Sequence, residues 1–289
     1  HRRAAQCASP PHSKRDNMSP YIAEFIGTAI LVLLGNGAVA NVLLAKTKGK
    51  GADLIVIVMG WAMAVFVAVY VTASFSGAHL NPIVTISLAL AGKFAWSKVA
   101  GYVIAQMLGG MAGALLVWLA YRQHFANEAD ADLKLAVFCT APAIRSTTHN
   151  VLTEAICTFV LILGVLYLAS PQVGLGALDA LPVGLLVLGI GISLGGPTGY
   201  AMSPARDLSP RIMHALLPIP GKRDSDWRYA WVPVIGPLLG GAAAAGLYLR
   251  LHAMARAPLR RLAVSKRRAA AAAAARLMNF SPGVTARCA

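Results

Sequence analysis

Charge is scarce in this chain. Asp, Glu, Lys and Arg make up 13% of 289 residues, and only 11 residues are acids. Against 57% apolar residues and a positive mean hydropathy, that is the composition of a polytopic membrane protein rather than a soluble one. Cysteine is scarce too. Cys7, Cys139, Cys157 and Cys288 show neither a disulfide framework nor metal-ligand spacing, and they read as unpaired thiols. There is no Walker loop, no dinucleotide fingerprint and no cluster of metal ligands. Nowhere does the sequence bring a nucleophile, a base and an orienting group together. These absences argue against an enzyme and against any cofactor or metal. The charge that is present is mostly basic, 26 Lys and Arg for a net +15. In a soluble protein that balance would suggest nucleic acid. Here much of the excess lies in the tails, so the partner it indicates is a membrane surface and not nucleic acid.

What is present is organised around Ser76-Gly-Ala-His-Leu-Asn-Pro82, between two long apolar runs. Gly77 lets the backbone turn, and Pro82 can open a helix because its missing N–H would be unpaired there anyway. The apolar stretch that follows ends at Gly92-Lys93. About ten helical residues at a rise of 1.5 Å reach roughly 15 Å, half of a bilayer core roughly 30 Å thick. Irregular backbone at membrane depth survives only where it is buried or lines a wet cavity. A half-helix entered through a polar loop therefore points to a pore. The device recurs at Gly199-Tyr-Ala-Met-Ser-Pro204, followed by Ala-Arg-Asp-Leu-Ser-Pro-Arg. One half-helix in each half of the chain is the pattern of a midplane site in an inverted repeat.

These motifs, SGAHLNP and TGYAMSPARD, resemble those of the major intrinsic proteins, the aquaporins and glycerol facilitators, over about residues 18–252. The second motif departs from the family at Ser203, where Asn is usual. The implied fold is all-α: six transmembrane helices plus two re-entrant half-helices. The spans read at about 21–44, 54–73, 99–121, 151–168, 181–194 and 231–251, with a polar loop at 122–150. Tyr21-Ile-Ala-Glu24-Phe-Ile-Gly-Thr parallels Val151-Leu-Thr-Glu154-Ala-Ile-Cys-Thr, and Leu108-Gly-Gly110 parallels Leu239-Gly-Gly241 at nearly the same offset. Repeat one covers about 18–121 and repeat two about 151–252. Three spans per repeat, an odd number, invert the second repeat, so the half-helices enter from opposite faces. Residues 1–17 read as a polar N-terminal tail and not a signal peptide. Residues 253–289 read as a basic, alanine-rich, disordered tail. Both tails are basic and, with six spans, share one side, which places both termini in the cytoplasm of a cell membrane of the bacterial inner-membrane type. The basic loops at 46–50 and 222–228 then lie outside, against the rule.

The expected chemistry is selection by pore width, donors, acceptors and charge. Asn81 and Ser203, each before a proline (Pro82, Pro204), cap two helices whose positive ends face the pore centre and oppose cations and protons. Asn81 can also donate to a passing oxygen. The strands Gly77, Ala78, His79, Leu80 and Gly199, Tyr200, Ala201, Met202 leave carbonyls for water and solute. His79 reads as a loop histidine satisfied by backbone. The resemblance implies structural roles for Glu24 and Glu154, each supporting the motif loop of its own half, with Gln106 and Asp207 as further support. It also implies an outer constriction of Trp61, Gly191, Tyr200 and Arg206. Trp, Gly, an aromatic and Arg match glycerol facilitators, whereas water-selective members usually carry His and Phe at the Gly191 and Trp61 positions. Asp207 and Pro237-Leu238 are further marks of the glycerol branch. Gly leaves room, two aromatic faces accept a carbon backbone, and Arg206 pairs with hydroxyls. The implied function is a passive channel for glycerol and similar small neutral polyols, with some water, as a homotetramer. A water-selective channel, a secondary transporter needing an acid near the midplane, and a non-conducting member permitted by Ser203 stand as alternatives.

Overall fold

The computed structural model describes residues 18–168 and 178–278, with backbone alone at 255–269 and 271–278. The expected tail at 1–17 and residues 279–289 of the tail expected at 253–289 lie outside the described residues. Contacts divide the chain into one unit ending at Ala245 and a second beginning at Gly246.

Long apolar runs without water to bond their backbone must bond it internally, and they form helices. In chain order these are α1 (Pro20–Leu43), α2 (Leu54–Ser76), α3 (Pro82–Leu90), α4 (Trp96–Asn127), α5 (Ala131–Ala136), α6 (Thr147–Leu168), α7 (Leu181–Leu194), α8 (Pro204–Leu216) and α9 (Val232–Met278). Among the described residues five helices, α1, α2, α4, α6 and α9 through Met254, are long and apolar enough to cross a membrane. α7 is a shorter apolar helix of 14 residues that follows the undescribed stretch 169–177. With the short α3 and α8 this is the all-α arrangement of six spans and two half-helices.

Local signals set the helix ends that matter. α2 stops where Gly77 adopts φ 83°, a left-handed cap that costs a glycine little. α3 and α8 both open with proline in the first turn behind a polar cap. At nine and 13 residues they are too short to cross a bilayer, since 1.5 Å per residue gives them roughly 14 and 20 Å.

Each half-helix is seated on a long helix of the other repeat. A Cβ added at Gly110 of α4 would lie 2.5 Å from the Ala205 carbonyl and 2.9 Å from Ser209 Cβ, both in α8. One added at Gly241 of α9 would lie 2.6 Å from Ser87 Oγ in α3. The glycines before these, Gly109 and Gly240, meet the backbone of Phe25 in α1 and Ala155 in α6. The repeated Leu-Gly-Gly is therefore a close-approach device of the kind lipid-embedded helices use.

Two boundaries differ from the sequence reading. The third span does not end near 121. Tyr121 has non-helical angles, φ −106° and ψ 15°, yet α4 resumes to Asn127. Phe125 explains the extension: it is buried, with its ring 5.5 Å from that of Phe138, a contact that rewards another turn. The loop expected at 122–150 also contains α5, capped by Asp130, whose side chain accepts from Asp132 N at 2.8 Å. The alanine-rich stretch after 252 has helical backbone as far as Met278, in line with the high helix propensity of Ala, Arg, Lys and Leu.

Candidate solute pathway

The two motif strands have an unusual backbone. Ala78, Leu80, Tyr200 and Met202 have φ of 49°, 52°, 40° and 53°, in the left-handed region that L-residues avoid. Such residues cost about 1–3 kcal/mol each and persist only where the surroundings over-determine them. Here a buried carboxylate does so in each half. Glu24 accepts from His79 N at 2.9 Å, Leu80 N at 2.7 Å and Ser76 Oγ at 2.6 Å. Gln106 Nε2 adds a fourth donor at 2.7 Å and also donates to Thr85 Oγ1 at 2.9 Å. Glu154 accepts from Ala201 N and Met202 N, both at 3.0 Å, and from Thr198 Oγ1 at 2.7 Å. Neither carboxylate has any exposed surface. A charge taken from water into a membrane interior needs such a shell of donors. The acids thus lie beside the motif backbone and are consumed by it.

Where the half-helices meet, Asn81 Oδ1 accepts from Ile83 N at 2.8 Å, capping α3. Its Nδ2 donates to Met202 O at 2.9 Å, a bond that crosses from one repeat to the other. Ser203 Oγ caps α8 by accepting from Arg206 N at 3.3 Å, a longer bond. His79 is held differently from its expected backbone pairing. Its Nδ1 contacts Thr85 Oγ1 at 3.1 Å, and its ring packs on Phe94 and Tyr102 at 4.6 and 5.0 Å. None of these three partners follows from the neighbouring sequence.

The first unit holds a cavity of about 940 Å³. It is lined by Gly77 to Leu80 of the first motif strand and Tyr200 to Met202 of the second but not Gly199, by Asn81 and Ser203, and by Trp61 and Arg206. The guanidinium carbon of Arg206 stands 4.1 Å from the centre of the Trp61 ring, a cation–π contact that fixes both. Trp61 and Tyr200 are only 3% and 4% exposed. Trp61 Nε1 and Tyr200 Oη are buried without a hydrogen-bond partner among the described residues. Gly191 does not line the cavity but sits behind Tyr200. A Cβ there would fall 2.5 Å from Val58 Cγ1 and 3.0 Å from Tyr200 Cζ. The room that its missing side chain leaves is closed by Val58 and the tyrosine ring together.

Asp207 points away from the cavity. It is fully buried and accepts from Thr140 N at 2.7 Å and Thr140 Oγ1 at 2.6 Å. Its other oxygen pairs with Arg211 Nε and Nη2 at 2.9 and 2.8 Å. Arg211 goes on to the carbonyls of Thr140, Ser225 and Asp226. The sequence reading missed Arg211. Its signal was there, a cation four residues after an acid on a short membrane helix.

The family model of the major intrinsic proteins matches residues 12–248. The chain is 56% identical over 231 residues to the probable glycerol uptake facilitator protein of Thermotoga maritima, covering 80% of this chain and 98% of that one. It is 52% identical over 229 residues to the glycerol uptake facilitator protein of Streptococcus pneumoniae, covering 78% and 97%. The X-ray structure of the aquaglyceroporin from Plasmodium falciparum superimposes with a TM-score of 0.72 at 32% identity, covering 84% of this chain and 98% of that one. The chain belongs to the major intrinsic protein family.

Proposed function

We propose that this chain is a passive transmembrane channel for glycerol and other small neutral polyols, which also passes some water and excludes ions and protons. The observation that carries the reading is one cavity bordered by the Trp61–Tyr200–Arg206 corner and by the facing ends of α3 and α8. Its length beside the motif strands puts their carbonyls within reach of a solute's hydroxyls, because their N–H groups are turned to Glu24 and Glu154. A polyol has a hydroxyl on every carbon, and its C–H face suits the aromatic corner. At the midplane each helix N-terminus carries roughly half a positive charge, so the two together oppose a cation with about one unit of charge in a poorly screened site. Ser203 retains the helix cap and leaves that field in place. Trp61 and Tyr200 offer aromatic faces where a histidine would present a polar ring, which disfavours a water-only channel. The acids that a coupled transporter would need are fully engaged in holding backbone. We place Gly191 in the constriction as the residue that seats Tyr200. The proposal includes a channel domain at about 18–252, a homotetramer in a cell membrane and both termini in the cytoplasm.

Stopped-flow light scattering of proteoliposomes tests this. Vesicles bearing the protein should re-swell rapidly in a glycerol gradient, exclude sucrose and hold an imposed proton gradient. Arg206→Ala should widen the corner and remove its charge, so that protons or cations begin to leak. Arg206→Ala vesicles that stay proton-tight with the same solute ranking would remove Arg206 from the constriction. Failure of the unmodified protein to conduct glycerol would overturn the reading itself.

A further inference from the structure

The position of the Trp61 ring depends on a residue without a side chain. Gly35 is a buried residue of α1. A Cβ built on it would fall 2.6 Å from Trp61 Cδ2, and closer still to Cε3 and Cζ3. Carbon atoms in contact settle at about 3.5–4.0 Å, so any side chain at position 35 must displace the ring by about 1 Å. There is little slack to absorb this. The indole is 3% exposed, and Arg206 Cζ already stands 4.1 Å from its centroid. Nor can α1 and α2 part easily, for they also approach closely at Gly60, where an added Cβ would meet that of Ala38. The space left to a displaced ring is the cavity that Trp61 borders.

We infer that Gly35 is a positioning residue for the solute constriction: the bare backbone of α1 sets how far the Trp61 ring projects into the pore, and with it the width open to a polyol. The inference rests on the reading of Trp61 as part of that constriction. Gly35 acts through Trp61 and touches no solute. Alanine is the stronger helix former, so α1 keeps its helix in Gly35→Ala and the change falls on the ring. Water is smaller than glycerol and is obstructed less by the same displacement.

The test is a double-mutant cycle in proteoliposomes, with glycerol and water permeability measured on the unmodified protein, Gly35→Ala, Trp61→Phe and the double variant. Elution profile and thermal stability are followed on each. Phenylalanine lacks Cε3 and Cζ3, the two ring carbons that a side chain at position 35 would strike hardest, and keeps a carbon at the Cδ2 position. Gly35→Ala should lower glycerol permeability about tenfold while water changes less than about twofold, the factor that a barrier of overpacking size produces. In the Trp61→Phe background the same change should lower glycerol permeability much less, because only the contact at Cδ2 is left. Equal losses of glycerol and water in both backgrounds would make Gly35 a packing residue only and overturn the inference. Unchanged glycerol permeability in Gly35→Ala would overturn it as well. If Trp61→Phe itself leaves the glycerol-to-water ratio unchanged, the placement of Trp61 at the constriction fails instead, and the two failures are distinguished.

Discussion

Replacing Arg211 with methionine should be among the most destabilising single changes in the channel, although the side chain is remote from the solute. Arg211 has no exposed surface. Its guanidinium donates to Asp207 Oδ1 from Nε and Nη2, to Thr140 O at 2.9 Å, to Ser225 O at 2.8 Å and to Asp226 O at 3.2 Å. Methionine fills a similar volume but makes none of these bonds. The Asp207 carboxylate, also fully buried, is left with Thr140 N and Oγ1 alone. Removing one partner of a buried ion pair costs about 3–5 kcal/mol, because the other charge stays behind uncompensated. For a domain of this size each kcal/mol moves the melting temperature about 2–4 °C, so a fall of roughly 6–20 °C is expected. The uncompensated charge, more than the lost packing, carries the effect. Arg211→Met combined with Asp207→Asn should therefore recover most of the loss, since the asparagine oxygen can still accept from Thr140. Thermal unfolding of the detergent-solubilised proteins measures both. A single variant that melts within about 2 °C of the unmodified protein, or a double variant that melts no higher than Arg211→Met, would refute the reasoning. The strand of the second motif should be affected too, because Thr140 Cγ2 lies 3.1 Å from where a Gly199 side chain would begin.

Two further outcomes are expected. Ser203→Asn should give α8 a longer side chain able to reach the Leu80 carbonyl as Asn81 reaches Met202 O, adding one crossing bond worth about 0.5–1.5 kcal/mol, visible as a higher melting temperature with glycerol flux present in both proteins; an inactive Ser form beside a conducting Asn form would show that capping and helix field do not suffice. At the loop after α4, Glu128 accepts from Asp130 N at 3.0 Å and pairs with Lys50 at 3.3 Å, and first the Asp130 N–H, then Lys50, hold its pKa below the ordinary glutamate value. A carboxyl depressed in the folded state contributes stability above its unfolded pKa and loses it as pH falls through the folded one, so amide exchange across 128–134, corrected for intrinsic rate, should quicken from about pH 5 to about pH 3. Glu128→Gln should abolish that pH dependence, and a persistent one would assign it elsewhere.

The sequence carried the architecture because its strongest signals are local. A proline behind Asn81 or Ser203, a glycine in the approach and a short apolar run already specify a half-helix, whatever surrounds it. The Glu24 and Glu154 pairings were also within reach, because an acid in a span must find donors and each motif strand offers backbone N–H groups. Side-chain partners distant in sequence were not legible. His79 faces Thr85, Phe94 and Tyr102, and nothing in the loop announces that cage. The glycines are more instructive. In the sequence Gly191 reads as room for solute, whereas Val58 and the Tyr200 ring close on it, and Gly35 is one small residue among several in α1. A missing side chain in the sequence says that something approaches closely, not what approaches.

The inverted repeat also separates the residues that build backbone from those proposed for the constriction. Counted from the motif prolines, Leu80 and Met202 are equivalent, both have positive φ, and both give their N–H to the glutamate of their half. Ser87 and Ser209 are equivalent and meet Gly241 and Gly110. The duplicated residues build backbone. The residues of the corner are not duplicated: Arg206 corresponds to Val84, and Tyr200 to Ala78. Even Asp207 has a neutral counterpart in Thr85, which turns to Gln106 and His79 rather than to a buried cation. The symmetric part opposes charge where the repeats meet, because two opposed helix ends act there, and the proposed corner adds the charge of Arg206. Rejection by size needs only one narrow point, since a second in series would slow the permitted solute without rejecting more of the others.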